Sequence, residues 1–558
     1  MPAYNIASLI AANIKKTKEV FDKLGWSFEI IVVDDGSSDE TFLEAQRIAR
    51  EMPMVKAISL PGNQGKGWAL KEGFSIAGGE FIIFLDGDLD IQPDQIGLFF
   101  EIMEKDKAEV VIGSKRHPQS KLDYPWGRRV LSSVYFFLVK VLFGLPIHDT
   151  QTGLKLFKRK VLEEVFPRIL VKRYAFDLEL LVNAYHLGYA IREAPVVVDF
   201  KGRFGRITPK DIYDIWLDTL AIFYRLRILK YYDRDIPLLK DYPFVSIIIP
   251  LGEQEAELSE GLKRVSVLDY PEYEIIVLPN VDLTLSYPHL KVVATGPLSP
   301  PEKRDIGLRA AQGEIIAFLD VDAYPGRDWL KNGLRFLGPE EVAAVGGPAV
   351  TPREDNLRQK ASGNIYSSWL VGGSYNYRYI PRLAREVEDY PTSNLLVKRK
   401  VLEKIGGFGT SLWPGEDTYL CRKIIKETGK KIIYEPGVLV YHHRRPLFLP
   451  HLRQVSNYAL HRGYFAKIYP ENSRHLSYFL PSLLVIYLSL GWWPGLFFPW
   501  LRGLYIGGII FYLSLVFLTA LRHFNPFMIF LVFTGIIATH FVYGVKFLQG
   551  LLTRELRK

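Results

Sequence analysis

The sequence predicts two tandem α/β modules followed by transmembrane helices, and three observations carry that expectation. The first is an internal repeat. GEFIIFLDGD at 79–88 returns as GEIIAFLDVD at 313–322, and LFKRKVLEEV at 156–165 returns as LVKRKVLEKI at 396–405, each with seven of ten positions identical. Two matches in one order and at nearly one offset imply duplication of a whole unit. The second is rhythm: apolar runs such as EIIVV at 29–33, FIIFL at 81–85 and EVVIG at 109–113 alternate with longer helical stretches, the pattern of a largely parallel sheet covered by helices. The third lies at the far end, where residues 477–501, 503–521 and 524–545 carry no Lys, Arg, Asp or Glu. At about 1.5 Å per residue each is long enough to cross roughly 30 Å of hydrocarbon.

Each element follows from these signals. The join between modules is expected near Tyr231–Asp235, before the strand VSIIIP at 245–250. This gives module one over 1–238, module two over 239–446, a basic membrane-interface segment over 447–476 and transmembrane helices over 477–548. A length of 558 residues exceeds one domain, and 48% apolar residues with 10 Trp, 31 Tyr and 34 Phe exclude a disordered chain. Cys421 is the only cysteine, which excludes an intrachain disulfide or an all-cysteine zinc site and fits a reducing compartment. A net charge of +9 suits anionic partners. Basic and aromatic residues do not interleave outside the membrane-proximal segment, so no nucleic-acid partner is expected. The opening MPAYNIASLI lacks the basic region and apolar run of a secretory signal.

In sheets of this kind ligands bind beyond the carboxyl ends of the strands. Asp86-Gly87-Asp88 follows one such end, and two carboxylates facing one small space repel unless a cation joins them. Oxygen ligands point to Mg2+ or Mn2+. Alone the pattern is weak, because a solvated turn has the same letters. Its company strengthens it. Asp34 and Asp35 in VVDDGSSDE follow another strand, where a carboxylate can accept the imide hydrogen of a base. NQGKGWALKEG at 63–73 offers a glycine turn, Lys66 for phosphate and a helix start, without the spacing of a Walker loop. In module two Asp320-Val321-Asp322 repeats the acidic pair, while the strand at 274–278 ends in Pro279-Asn280, so donor contacts differ. Glu416-Asp417 begins a helix after a glycine turn. Residues 442–475 hold five of the eleven histidines and six Lys/Arg against one acid. They read as a basic, aromatic belt at the bilayer surface, with His442 or His443 as an alternative partner of metal or donor phosphate.

PAYN at 2–5, VVDDGS at 32–37, NQGKGWA at 63–69 and DGDLD at 86–90 together resemble family 2 glycosyltransferases of the GT-A fold. The resemblance implies an α/β chain of two tandem GT-A domains, each of the nucleotide-diphospho-sugar transferase type, followed by transmembrane helices. DTQTGLKLF at 149–157, FDLELL at 176–181 and EAPV at 193–196 resemble, more narrowly, dolichyl- or polyprenyl-phosphate hexose synthases over nearly all of 1–232. That implies a nucleotide-sugar of the UDP-glucose or GDP-mannose type held by Pro2, Tyr4, Asp34, Asp35, Lys66 and Asp86, a metal at Asp88 with help from Asp90, and transfer to a lipid phosphate. An ionised lipid phosphate is already a nucleophile and needs only cations to hold it in line. Arg128, Arg129 and Arg206 are the candidates, against an ordinary solvated surface. The set EKRDIGLRAAQGEIIAFLDVD, NLLVKRKVLEKIGGF and GEDTYL resembles membrane-associated family 2 transferases. It implies Asp417 as the base that deprotonates an acceptor hydroxyl, with Glu416 beside it, Asp320 toward the donor and Asp322 on the metal. Two departures stand out: Asn5 is followed by Ile6 where a glutamate is usual, and no apolar strand precedes Pro2. Module one is therefore expected to lack a strand at its nucleotide-binding edge, as from an internal or truncated start.

The chain is thus expected to be a membrane-anchored, inverting hexosyltransferase with both catalytic halves on the cytoplasmic face of the cell membrane. The rivals are a chain with one active module and one scaffold, and a non-catalytic membrane receptor for nucleotide or polysaccharide. A dinucleotide oxidoreductase is disfavoured because no strand-linked GxGxxG occurs.

Overall fold

The computed structural model describes residues 1–60, 62–121, 126–171, 175–198, 209–234, 236–237, 239, 241–252, 255–523 and 525–556, with side chains at 126–132, 209–212 and 255–257 outside that description. The chain divides into two compact units, Met1–Ile236 and Pro237–Lys558.

The first unit contains strands β1 (Pro2–Ala3), β2 (Ile30–Asp34), β3 (Val55–Ser59), β4 (Phe81–Phe84), β5 (Val110–Ser114), β6 (Lys155–Lys158) and β7 (Ile191–Pro195). They form two sheets, β1-β2-β3 and β4-β6-β5-β7. All pairings are parallel except those of β6, which runs against both β4 and β5.

The second unit adds β8 (Val245–Pro250), β9 (Tyr273–Leu278), β10 (Leu290–Val292), β11 (Ile315–Leu319), β12 (Ala323–Pro325), β13 (Val342–Gly346), β14 (Ala349–Val350), β15 (Arg385–Val387), β16 (Asn394–Lys398), β17 (Lys431–Tyr434) and β18 (Val440–His442). Eight of them make one sheet in the order β10-β9-β8-β11-β16-β13-β17-β15. The repeated segments occupy matching places: each acidic pair follows β4 or β11, and each KRK leads from β6 or β16 into a short helix. The place of β8 in the first unit is held by β1 alone, a strand of two residues, so that sheet lies in two pieces.

Strands β8, β11 and β13 are buried along their whole length, which is why they read as continuous apolar runs rather than alternating ones. Ile247, Ile275, Ala317 and Leu396 enter the core on one face, and Ile248, Ile276, Phe318 and Leu395 the core on the other. Strands β12, β18 and β14 form a separate small sheet, with Ala323 opposite His442. Three helical stretches, Leu476–Leu496, Pro499–Leu521 and Pro526–Leu552, are long and apolar enough to cross a membrane. The helix Leu449–Ile468 packs against the last of them, with His451 Nε2 2.9 Å from Thr539 Oγ1.

Candidate active sites

In the first unit the acidic pair follows β4, and its geometry depends on what surrounds it. Asp86 Oδ1 lies 2.6 Å from Lys66 Nζ. A Cβ on Gly153 would sit 2.2 Å from Asp86 Oδ2, so the glycine of DTQTG is what lets Asp86 occupy its position. Burial opposes the charge of Lys66, but Asp86 and Asp177 outweigh it and raise its pKa. Burial, and then the neighbouring Asp86, push the Asp88 carboxyl upward. The Asp90 backbone N–H lies 3.4 Å from Asp88 Oδ1. Pro2 offers its carbonyl to the Gly87 N–H at 3.1 Å, and Tyr4 is 48% exposed.

Asp34 and Asp35, both buried at the end of β2, do different work. Asp34 accepts from Ser59 Oγ at 2.8 Å and from the Ser37 N–H at 3.2 Å. Asp35 accepts from the backbone N–H groups of Gln64 at 2.7 Å and Gly65 at 2.9 Å. Asp35 thus fixes the glycine turn that precedes Lys66. Arg128, Arg129 and Arg206 lie outside the residues whose side chains are described.

A buried ion pair joins two of the motifs, DTQTGLKLF and FDLELL: Lys155 Nζ lies 2.7 Å from Asp177 Oδ1. Asp177 stands in the first turn of the helix Phe176–His186. That helix holds the same topological place as Glu416–Thr428 in the second unit, each lying between the KRK helix and the following strand.

In the second unit Asp320, Asp322 and His442 each offer a ligand atom within 4.8 Å of the others. Two carboxylates and an imidazole suit a divalent cation. Pairing of β12 with β18 brings His442 there, with its Nε2 2.9 Å from Asp322 Oδ1. Arg445 reaches Asp322 Oδ2 at 3.3 Å. Burial raises Asp322, yet His442 and Arg445 overcome it and hold the carboxyl down at about 2. His443 turns away to Asp355, 2.5 Å from its Oδ1. The segment expected as a lipid-facing basic belt thus sends His442 and His443 to carboxylates and buries Arg444, His451 and Arg462, since a buried cation is stable only beside a partner.

Arg304, buried in the helix Pro300–Ala310, links the acidic pair to the second acidic motif. Its guanidinium lies 2.7 Å from Asp320 and 3.0 Å from Glu416. In the first unit the matching cation, Lys66, comes from the opening turn of the corresponding helix. Burial and then Asp417 push Glu416 up to about 8, against the pull of Arg304. Burial also raises Asp417, against Arg304 and Thr392. Thr392 donates to Asp417 Oδ1 from its backbone N–H at 3.1 Å and its hydroxyl at 2.5 Å. Gly415 has φ of 116°, and a Cβ there would lie 2.2 Å from the Phe465 ring. Only glycine enters the helix at this point. Asp305 holds the GGF turn by accepting from the N–H groups of Phe408 at 2.8 Å and Gly409 at 2.9 Å.

Comparison with known proteins agrees with this architecture. The sequence pattern of glycosyl transferase family 2 matches residues 1–166 and 246–406, more than half of the chain. A glycosyltransferase AglD from Haloferax volcanii is 26% identical over 290 residues, 52% of this chain and 46% of its own length. Dolichyl-phosphate beta-glucosyltransferases from Dictyostelium discoideum and Trichomonas vaginalis (ALG5A) are 32% and 33% identical over 209 and 250 residues, covering 35% and 42% of this chain and 64% and 75% of theirs. The chain therefore spans about half to three quarters of the length of these relatives. Among solved structures, mannosyltransferase PcManGT from Pyrobaculum calidifontis, in complex with GDP-Man and Mn2+, shares 20% identity at a TM-score of 0.36, over 59% of this chain and 94% of its own. A likeness at that level says nothing about this chain's ligands. Two α/β units with an acidic pair after corresponding strands, matched twice by one family pattern, lead to one conclusion: the chain belongs to glycosyl transferase family 2.

Proposed function

We propose that both units transfer a hexose from a nucleotide-sugar of the UDP-glucose or GDP-mannose type, the first to a polyprenyl or dolichyl phosphate and the second to a hydroxyl of a glycolipid or glycan. The observation that carries this reading is the contrast between two aspartates at the start of corresponding helices. Asp177 is neutralised by Lys155 at 2.7 Å, whereas Asp417 accepts its hydrogen bonds from Thr392 and burial raises its pKa against the pull of Arg304. A paired carboxylate makes a poor base, and an ionised lipid phosphate requires none. A sugar hydroxyl does benefit from a base within hydrogen-bond reach. The likeness of the first unit to dolichyl-phosphate beta-glucosyltransferases supports the lipid phosphate as its acceptor.

In the second unit Asp417 takes the proton of the acceptor hydroxyl as its oxygen attacks the anomeric carbon from the face opposite the departing nucleoside diphosphate, which inverts that centre. Arg304 fixes Glu416 and Asp320 on either side of this path. Asp320, Asp322 and His442 would hold a divalent cation, which would neutralise charge on the leaving diphosphate, and the imidazole would favour Mn2+ over Mg2+. In the first unit Asp88 would hold the cation with help from Asp90, and Lys66 keeps Asp86, on the donor side, ionised.

Membrane anchorage agrees with the acceptors. Besides the three long apolar helices, the first unit presents Val134, Phe137 and Val141 on Trp126–Phe143, and Tyr213, Trp216, Leu217 and Leu220 on Pro209–Phe223, with Phe137 at 68% and Tyr213 at 63% exposure. Their spacing of three and four residues makes one apolar face per helix, the form of a helix lying in a bilayer surface. Both units face the cytoplasm, where nucleotide-sugars are available. The test is mass spectrometry of lipids from cells with and without the gene. Loss of a hexosyl polyprenyl phosphate together with a longer glycolipid or glycan is expected. An unchanged pool of hexosyl polyprenyl phosphates and glycolipids would refute the assignment.

A further inference from the structure

A cavity of about 70 Å³ opens beside Asp417, and its walls include Arg378, Asp389, Tyr458, His461 and Arg462. Both arginines are more than nine-tenths buried, and both turn toward the same oxygen. Asp389 Oδ2 lies 3.0 Å from Arg462 Nη2 and 3.6 Å from Arg378 Nη2. Thr418 donates to the other oxygen at 3.2 Å.

One carboxylate balances one guanidinium. The second positive charge is met by ring faces: Arg378 lies over Tyr375 at 4.9 Å, and Arg462 over Tyr458 at 5.1 Å and Tyr478 at 4.8 Å. Asp417 also lines the cavity, but the hydrogen bonds its carboxylate accepts come from Thr392 and not from either arginine. Arg378 Nε is buried without a hydrogen-bond partner. Two buried forks, an unused donor and one anion too few describe a site built for a further anion.

Its location narrows the source of that anion. Arg462 belongs to the helix Leu449–Ile468, which packs on the last membrane-crossing helix, and Tyr478 belongs to the first one. The cavity therefore lies between the helix that carries Asp417 and the helices long and apolar enough to cross a membrane.

We propose that Arg378 and Arg462 form the acceptor phosphate site of the second unit, so that the sugar whose hydroxyl meets Asp417 is carried on a phosphate or diphosphate ester. This rests on the assignment of Asp417 as the base. The chemistry is shared by a lipid-linked sugar and a soluble sugar phosphate, and the packing of Arg462 against the long apolar helices favours the lipid.

The test uses the full chain in nanodiscs. Binding of inorganic pyrophosphate is measured by calorimetry in EDTA, which removes the divalent metal from the donor sites. Arg378→Gln is expected to weaken binding at least tenfold, and Arg399→Gln, a surface charge, is expected to leave it unchanged. Should Arg378→Gln unfold, Arg378→Lys replaces it, keeping the charge for Asp389 and losing the fork. Transfer is then compared on a short polyprenyl-diphospho-sugar, the matching soluble sugar 1-phosphate and the uncharged octyl glycoside. Preference for either phosphate acceptor, abolished by Arg378→Gln through a raised KM at unchanged kcat, supports the site, and the better of the two names the source. Equal use of the octyl glycoside, or pyrophosphate binding indifferent to Arg378, overturns it. Arg378-dependent binding with no transfer to any of the three would sink the hydroxyl-transferase assignment and leave the anion site standing.

Discussion

Replacing Arg304 by Met should loosen the second unit from its centre. The guanidinium is 3% exposed and is the shared partner of Asp320 and Glu416, with Asp417 close enough to bear on its charge. Removing it leaves three carboxylates without this cation. Breaking a buried pair from one side costs about 3–5 kcal/mol. Cys421 is the reporter: it is the only thiol, fully buried on the helix that begins at Glu416, and burial raises its pKa. If the helix must open for labelling, a loss of about 3 kcal/mol speeds modification by a thiol reagent roughly 150-fold, at 1.4 kcal/mol per decade. Carboxylates can shed their repulsion by taking protons. Glu416 already lies at about 8 and is neutral near pH 6, so the variant-to-wild-type ratio should be larger at about pH 8.5 than at about pH 6. Expressing the result as a ratio cancels the thiol's own titration. Equal labelling of variant and wild type at about pH 8.5, or a ratio that grows toward acid, would refute the role given to Arg304.

Three further outcomes follow from other parts of the same unit. His442→Ala should weaken Mn2+ binding, read by electron paramagnetic resonance, at least tenfold, because it removes one of three clustered donors; unchanged affinity would take His442 out of the metal site. Gly415→Ala should lower the unfolding midpoint and transfer activity together, since φ of 116° and a Cβ 2.2 Å from Phe465 force the start of the Glu416–Thr428 helix to move; a variant with wild-type values of both would contradict this. His451 is buried between Ser362 and Thr539, with its pKa lowered by burial to about 4. Its folded-state value lies below its ordinary 6.5, so its contribution is complete above pH 6.5 and is lost as pH falls toward about 4, by roughly 3 kcal/mol. His451→Gln should flatten that part of the stability profile, and an identical acid dependence in both proteins would exclude His451 as its source.

The fold was legible where a residue's role depends on its own strand or helix. Asp86 and Asp320 sit after apolar runs, and their equivalence follows from an offset that any fold must respect. The KRK segments start helices in both units because an apolar strand ends just before them. The charge-free stretches near the carboxyl end likewise announce long apolar helices without reference to anything else. What stayed hidden depends on distant chain segments meeting. Arg304 is one of several charges in EKRDIGLRA, and only the helix it lies on turns it toward Asp320 and Glu416. His442 or His443 could be named as an alternative metal partner, but only the register of β12 and β18 selects His442 and brings it to Asp322 across 120 residues. The buried pairings of Lys155 and Asp389 are likewise hidden, since nothing local tells a buried ion pair from an exposed one. The anchoring of Asp35 is hidden for the same reason: its partners are backbone amides about 30 residues away.

The central claim is that two active sites serve two kinds of acceptor, and Asp417→Asn tests it most directly. The full chain is assayed with Mn2+ and nucleotide-sugar while the hexosyl lipid phosphate and the hydroxyl-linked product are followed separately. The lipid-phosphate product should form at the wild-type rate, and the hydroxyl-linked product should fall by about a hundredfold or more, the scale for loss of a positioned base. Equal loss of both products would mean one shared active site, and no loss of either would remove Asp417 from the chemistry.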